Sequence, residues 1–173
     1  MSIVLSTALT LSLVVQAATA APQAGPDAAQ AETTTKALLA AFGALDAPGM
    51  KEHFADTVQF IGDPQFLGEP RGLQVRRNVS RDQLTAAYAK MFSAIDPLRW
   101  KDLTKQLTPS LKRATADGSH PEDTTGILPS DFVKAGEYLY ELKAPGSGLD
   151  DVILFVLRPI DGRWKVVAHW ADY

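Results

Sequence analysis

The chain has 173 residues, 46% of them hydrophobic, and no cysteine, which suits one domain with a core held by packing and without disulfides. Its net charge is −3 and its pI is near 5.6, so no basic field draws it to nucleic acid or to an anionic bilayer. Charges of both signs are mixed along the chain, without long blocks of either.

Ile3 to Val15 is apolar, and no charge occurs before Asp27. Ala18-Thr19-Ala20 then places small residues where a leader peptidase cuts. The apolar run is shorter than the roughly 20 residues a bilayer span needs. Residues 1–20 are therefore expected to be a signal peptide, although the segment before the apolar run lacks Lys or Arg. An uncleaved anchor is the competing reading. A periplasmic or secreted location follows as an expectation. Residues 21–33, rich in Ala, Pro, Gln and Gly, read as a flexible lead-in, and 34–173 as the domain.

Thr34 to Leu45 is expected to be a helix, with Leu38, Leu39, Phe42 and Leu45 at helical spacing. Asp46-Ala47-Pro48-Gly49 breaks it, and Met50 to Ala55 reads as a short second helix. Thr57 to Ile61 alternates as a first strand, ended by Gly62-Asp63-Pro64, and residues 65–79 read as loop. Ser80-Arg81-Asp82-Gln83 is a capping box, opening a helix that carries Leu84, Tyr88, Met91, Phe92 and Ile95 on one stripe. Leu98 to Leu107 reads as a further helical turn or two, Ser110 to Thr115 as a weak strand, and 117–130 as loop. Glu137 to Lys143 is a strand with Tyr138, Tyr140 and Leu142 on one face. Gly146-Ser147-Gly148 turns the chain into the last two strands, Asp150 to Tyr173, joined at Asp161-Gly162. An Asp-Gly pair between such runs is a strong hairpin signal, because both central positions favour positive φ. Helices first and strands later imply an α+β fold, with helices packed on one face of a curved antiparallel sheet.

Two blocks carry a family resemblance. AAFGALDAPGMKEHFADTVQFIGDP (Ala40–Pro64) resembles the opening of the nuclear transport factor 2-like superfamily, which includes ketosteroid isomerases, polyketide cyclases and non-catalytic binding domains. Leu157–Trp170 resembles its closing strands. The middle, about 98–136, does not align. The resemblance implies a cone-shaped, cystatin-like α+β barrel with a pocket at its open end. Asp63 resembles the general-base Asp of ketosteroid isomerases. The positions of their oxyanion donors match Phe42 and Phe155, which donate nothing, so the familiar isomerase route is not expected. Trp170 resembles the aromatic residue lining the pocket of those enzymes. The fold hosts many activities and does not by itself choose one.

The candidate catalytic residues are Asp63 and His169, each with a plainer reading. Gly-Asp-Pro is a common turn that ends a strand. Strand alternation puts Trp164, Val166, Ala168 and Trp170 toward the cone interior, and His169 outward with Lys165, Val167, Ala171 and Tyr173. A reversed register would make His169 the best acid or base in the chain. His53 reads as solvated and His120 as part of a polar loop. Three scattered histidines make no zinc pattern, so no metal and no cofactor is expected. Tyr88, Trp100, Tyr138, Tyr140, Phe155 and Trp170 are the candidate ligand-binding residues, against the plainer reading of core aromatics. Asn78-Val79-Ser80 fits a glycosylation acceptor, a triplet frequent by chance.

Val152 to Leu157 is apolar on both faces, so something must cover the outer one; a second copy packed sheet to sheet is the expected cover. Three functions remain open. The first is binding of a small apolar or amphipathic ligand in the cone. The second is an isomerase-, dehydratase- or cyclase-like reaction using Asp63. The third is a non-catalytic accessory or interaction domain.

Overall fold

The structure is a computed structural model that describes residues 27–119, 128–144 and 152–171. The signal segment, His120, the Gly146–Gly148 turn and Tyr173 lie outside the described residues. In chain order the elements are α1 (Ala28–Gly43), α2 (Ala47–Lys51), β1 (Phe54–Gly62), a 3-10 turn (Pro64–Leu67) and β2 (Val75–Ser80). Next come α3 (Arg81–Ser93), α4 (Pro97–Thr104), β3 (Thr108–Arg113), β4 (Tyr138–Lys143), β5 (Val152–Ile160) and β6 (Arg163–Ala171).

One six-stranded sheet runs in the order β2-β1-β6-β5-β4-β3. Every pairing is antiparallel except β1 with β6, which is parallel. The helices bury one face of it, giving the expected α+β layering.

Local chemistry sets the element boundaries. The Asp27 side chain accepts the Gln30 N–H, so α1 begins at Ala28, inside the stretch read as a flexible lead-in. Asp46 caps α2 across Pro48, and the Ser80–Gln83 capping box opens α3 as the sequence implied. The hairpin turn has φ of 49° at Asp161 and 73° at Gly162, the signs its sequence called for. Residues 75–79, read as loop, form β2 together with Ser80. Val75 and Val79 pack inward while Arg76 and Asn78 are exposed, a period-2 pattern hidden among charges.

The sheet has buried residues on both faces. The inner face packs Phe54, Val58, Phe60, Phe155, Leu157 and Val166 against Leu38, Phe42, Leu84 and Tyr88 of the helices. The outer face buries Ile61, Leu139, Val152, Leu154, Val156, Ala168 and Trp170 under Ala114, Leu128, Phe132 and Val133. This cover is a strap from the chain's own middle, the region that aligned with nothing. Its backbone is pinned by Gly118 N–H to the Val133 carbonyl (2.8 Å) and Ala114 N–H to the Glu137 carbonyl (2.8 Å). Arg76 ties it to the edge strand through Asp131 at 2.5 Å. The reason for expecting a second copy on this face is thus met within one chain: Val152, Leu154, Val156 and Trp170 are each at most 1% exposed without one.

β6 corrects the sequence-based facing. Leu157 pairs with Val166, but Val156 pairs with Ala168, so Val167 is an extra residue in the ladder. Trp164 and Val166 point inward as expected. After the bulge the alternation reverses, and Ala168 and Trp170 join the outer cluster while His169 turns in among the aromatic rings. A regular strand would have done the opposite.

Candidate functional site

The inward turn of His169 creates the most distinctive polar feature of the interior. The ring is completely buried, stacked on Phe155 (4.9 Å between centroids, 13° between planes) and flanked by Phe60, Phe66 and Tyr88. Its Nδ1 lies 3.3 Å from the Leu154 carbonyl oxygen, which only accepts, so the proton sits on Nδ1. Nε2 is then an acceptor, and the Tyr88 hydroxyl donates to it at 3.0 Å. Burial disfavours the imidazolium and pulls its pKa down to about 4, with the Leu154 contact opposing. The ring is neutral at ordinary pH.

Asp63 stands elsewhere in chemical terms. It caps the 3-10 turn, with Oδ1 accepting the Gln65 N–H at 2.8 Å, and Oδ2 lies 3.7 Å from the Arg71 guanidinium. Gly62 before it is required by space: a Cβ there would fall 2.7 Å from the Ala171 carbonyl oxygen. Both oxygens of this carboxylate thus have partners already, as suits a residue that caps a turn.

The other candidates are core aromatics with assigned contacts. Tyr88 is fully buried and touches Phe42, Phe54, Phe66 and Phe92. Trp100 donates its indole N–H to the Phe42 carbonyl (2.9 Å), which fastens α4 to α1. Tyr138 packs edge-on against Trp164, and Tyr140 stacks on Phe155 with its phenol pushed up to about 12 by burial. Trp170 lies on the opposite face from all of these, its indole N–H buried without a hydrogen-bond partner among the described residues. The structure therefore brings Tyr88, Phe155 and His169 together and separates Trp170 from them. His53 is half-buried, and burial and the Lys165 ammonium lower its pKa.

A cleft of about 490 Å³ opens beside this cluster, between the 3-10 turn and α3. Phe66, Ala87, Met91 and Ala94 supply apolar wall, and Asp63, Gln65, Lys90 and Ser93 supply polar groups. Phe66 is shared: it lines the cleft and also touches Tyr88 (5.1 Å) and His169 (5.9 Å). Of these residues the sequence had singled out Asp63 and, on the helical stripe, Met91. Phe66 went unnoticed inside a stretch read as loop; the adjacent apolar pair Phe66-Leu67 was the available signal.

No protein-family model matches the sequence, and no curated protein matches it. Among solved structures, an NTF-2-like protein of unknown function from Shewanella oneidensis is 14% identical, with a TM-score of 0.46 over 82% of this chain and 95% of that one. A ketosteroid isomerase-like protein from Erwinia carotovora atroseptica is 16% identical, with a TM-score of 0.42 over 82% of this chain and 92% of that one. A domain of unknown function with a cystatin-like fold from Nostoc punctiforme is 13% identical, with a TM-score of 0.43 over 85% of this chain and 79% of that one. At such identities and scores the functional reading rests on the chain's own residues.

Proposed function

We propose that this chain is a non-catalytic small-ligand-binding domain of the nuclear transport factor 2-like type, which takes an apolar or amphipathic molecule in the cleft between the 3-10 turn and α3. The supporting observation is the cleft itself. Apolar side chains of Phe66, Ala87, Met91 and Ala94 form its wall, with one carboxylate, Asp63, and one ammonium, Lys90, among its polar groups. Small-molecule sites combine a mostly apolar wall with a few polar groups in this way. The ligand lies beside the aromatic core and not within it, because Tyr88 and Phe155 are already packed. On the apolar run Ile3–Val15 and the small residues before Ala21, we place the mature domain outside the cytoplasm.

Native mass spectrometry of the purified full chain tests the binding reading, followed by titration with decanoate and decanol. Saturable binding that Ala94→Arg, at an exposed position of the cleft wall, abolishes with the melting temperature unchanged supports it. Absence of binding by both probes, together with no co-purifying adduct, refutes it.

One observation favours the enzymatic alternative, the buried Tyr88–His169 hydrogen bond directly behind Phe66. Such a pair is suited to proton transfer. Asp63, already engaged by Gln65 N–H and Arg71, is the weaker candidate for a base. Given any discovered turnover, a fall in rate with Tyr88→Phe but not with Asp63→Asn would select the pair.

A further inference from the structure

We propose that a break in the ladder between β1 and β6 forms a second binding site, on the outer face of the sheet, for a saccharide or similar neutral polyhydroxylated molecule. Between the pairs Phe54↔Val166 and Gln59↔Ala168, β1 has four intervening residues and β6 has one. The strands cannot stay zipped there, and a cleft of about 460 Å³ opens over the gap. Bulges bend a strand, re-aim its side chains and gather beside functional sites. This volume falls within the roughly 300–1,000 Å³ of small-molecule sites. The cleft belongs to the opposite face of the sheet from the one proposed above, and shares no lining residue with it.

Its floor is apolar: Ala55, Ile160, Val167 and Ala168, with Phe132 of the strap as a wall. Its polar groups include both donors and acceptors. Gln59 and Asn78 are register partners across β1 and β2, and each amide both donates and accepts. Thr57 adds a hydroxyl on the same strand as Gln59. Arg158 is held from behind. Its Nε donates to Glu137 Oε1 at 2.5 Å, Glu137 is only 4% exposed, and its other oxygen accepts the Lys134 N–H. A buried acid that fixes a partly exposed guanidinium preorganises the rest of its donor fork.

Charge in the cleft is largely matched. Asp56 pairs with Arg81, Asp131 with Arg76 and Arg158 with Glu137, and the exposed Lys134 near Asp131 adds one further ammonium at the rim, so the field that remains is weak. Apart from Lys134, what remains is a ring of neutral and mutually compensated hydrogen-bonding groups around a small apolar floor. A pyranose offers the complement, hydroxyls around the edge of an apolar C–H face. An aliphatic ligand would cover the floor and leave the amides and the guanidinium without partners.

The test is a titration of the ¹⁵N-labelled full chain with maltotriose, cellotriose and triacetylchitotriose, with phosphate and decanoate as controls. At least one trisaccharide at millimolar concentration shifts the side-chain amides of Gln59 and Asn78 and the backbone amides of Val167 and Ala168, saturably. The Lys90 and Met91 signals stay in place. Gln59→Leu and Asn78→Leu each weaken that binding by about tenfold, as expected for loss of a ligand hydrogen bond. A response to none of the three trisaccharides overturns the proposal. So does a response to phosphate alone, or unchanged affinity in both variants. The wild-type titration decides the matter even if a variant fails to fold. Decanoate acting only at Lys90 and Met91 would uphold the first cleft while this second one fails.

Discussion

The two faces of the sheet are both buried, by opposite means. The inner face meets helices whose aromatic side chains interlock: Phe42, Phe54, Phe66, Phe92 and His169 all surround Tyr88. The outer face meets a strap that between residues 129 and 137 has neither helix nor strand, held by turns and by side-chain bonds to its backbone. The inner cover is a layer that packs by repeat; the outer one is placed bond by bond. The lesson is that a strand apolar on both sides does not by itself announce an oligomer. A segment without periodic pattern can supply the missing layer, provided its backbone groups find partners.

The largest expected effect tests whether the strap is core in the same sense as the helices. Phe155→Ala on the inner side and Phe132→Ala in the strap should each cost about 3–5 kcal/mol in urea unfolding, the usual range for a buried aromatic. Both side chains are at most 2% exposed. A cost below about 1 kcal/mol for Phe132→Ala would reduce the strap to an ornament and reopen the face to a second copy.

Acid should strike the inner face first. His169 has a folded pKa near 4 against 6.5 in the free side chain. Between those values the unfolded chain takes up a proton that the folded one refuses. Stability is therefore whole above about pH 6.5 and declines as pH falls toward 4, by up to about 3 kcal/mol. His53, also lowered, acts in the same direction. Denaturant titrations at a series of pH values check this, and His169→Gln should remove most of the slope.

The Glu137–Arg158 pair gives an asymmetric test on the outer face. The Glu137 side chain is 6% exposed and that of Arg158 is 43% exposed. Arg158→Ala strands a buried carboxylate and should cost about 1–3 kcal/mol, whereas Glu137→Gln, which keeps an acceptor for the Lys134 N–H, should cost less. Equal losses would contradict the burial difference. Smallest of all, Asp117→Ala removes the acceptor for the Ala135 N–H (2.8 Å) and should cost about 1 kcal/mol, while hydrogen exchange quickens in the strap and not in α3.

Much of this architecture was legible in the sequence. The capping box before α3 and the Asp-Gly hairpin are local devices whose residues act on neighbours three or fewer positions away, so reading them needs no tertiary knowledge. The doubled apolar character of β5 also told the truth about its burial. What stayed hidden was non-local. β2 carries Arg76, Arg77 and Asn78, and its edge position lets those side chains reach solvent or acids, which blurs the alternation. The strap has no period at all, and Phe132 and Val133 look like any apolar pair in a polar stretch. The facing of His169 and Trp170 depended on one extra residue in a ladder, which no pattern within β6 reveals. Of the candidate site, Asp63 and Met91 were visible, while Phe66 and the Tyr88–His169 bond required the fold.

That extra residue has a consequence for how such a chain tolerates insertion and deletion. Val167 acts as a parity switch: everything downstream of it swaps sides of the sheet relative to everything upstream. Deleting that one codon would restore simple alternation and keep both rings where they are, whereas ironing out the bulge with Val167 retained would trade the places of an imidazole and an indole, leaving a polar ring among aliphatic neighbours and a bulky bicycle beside Phe155.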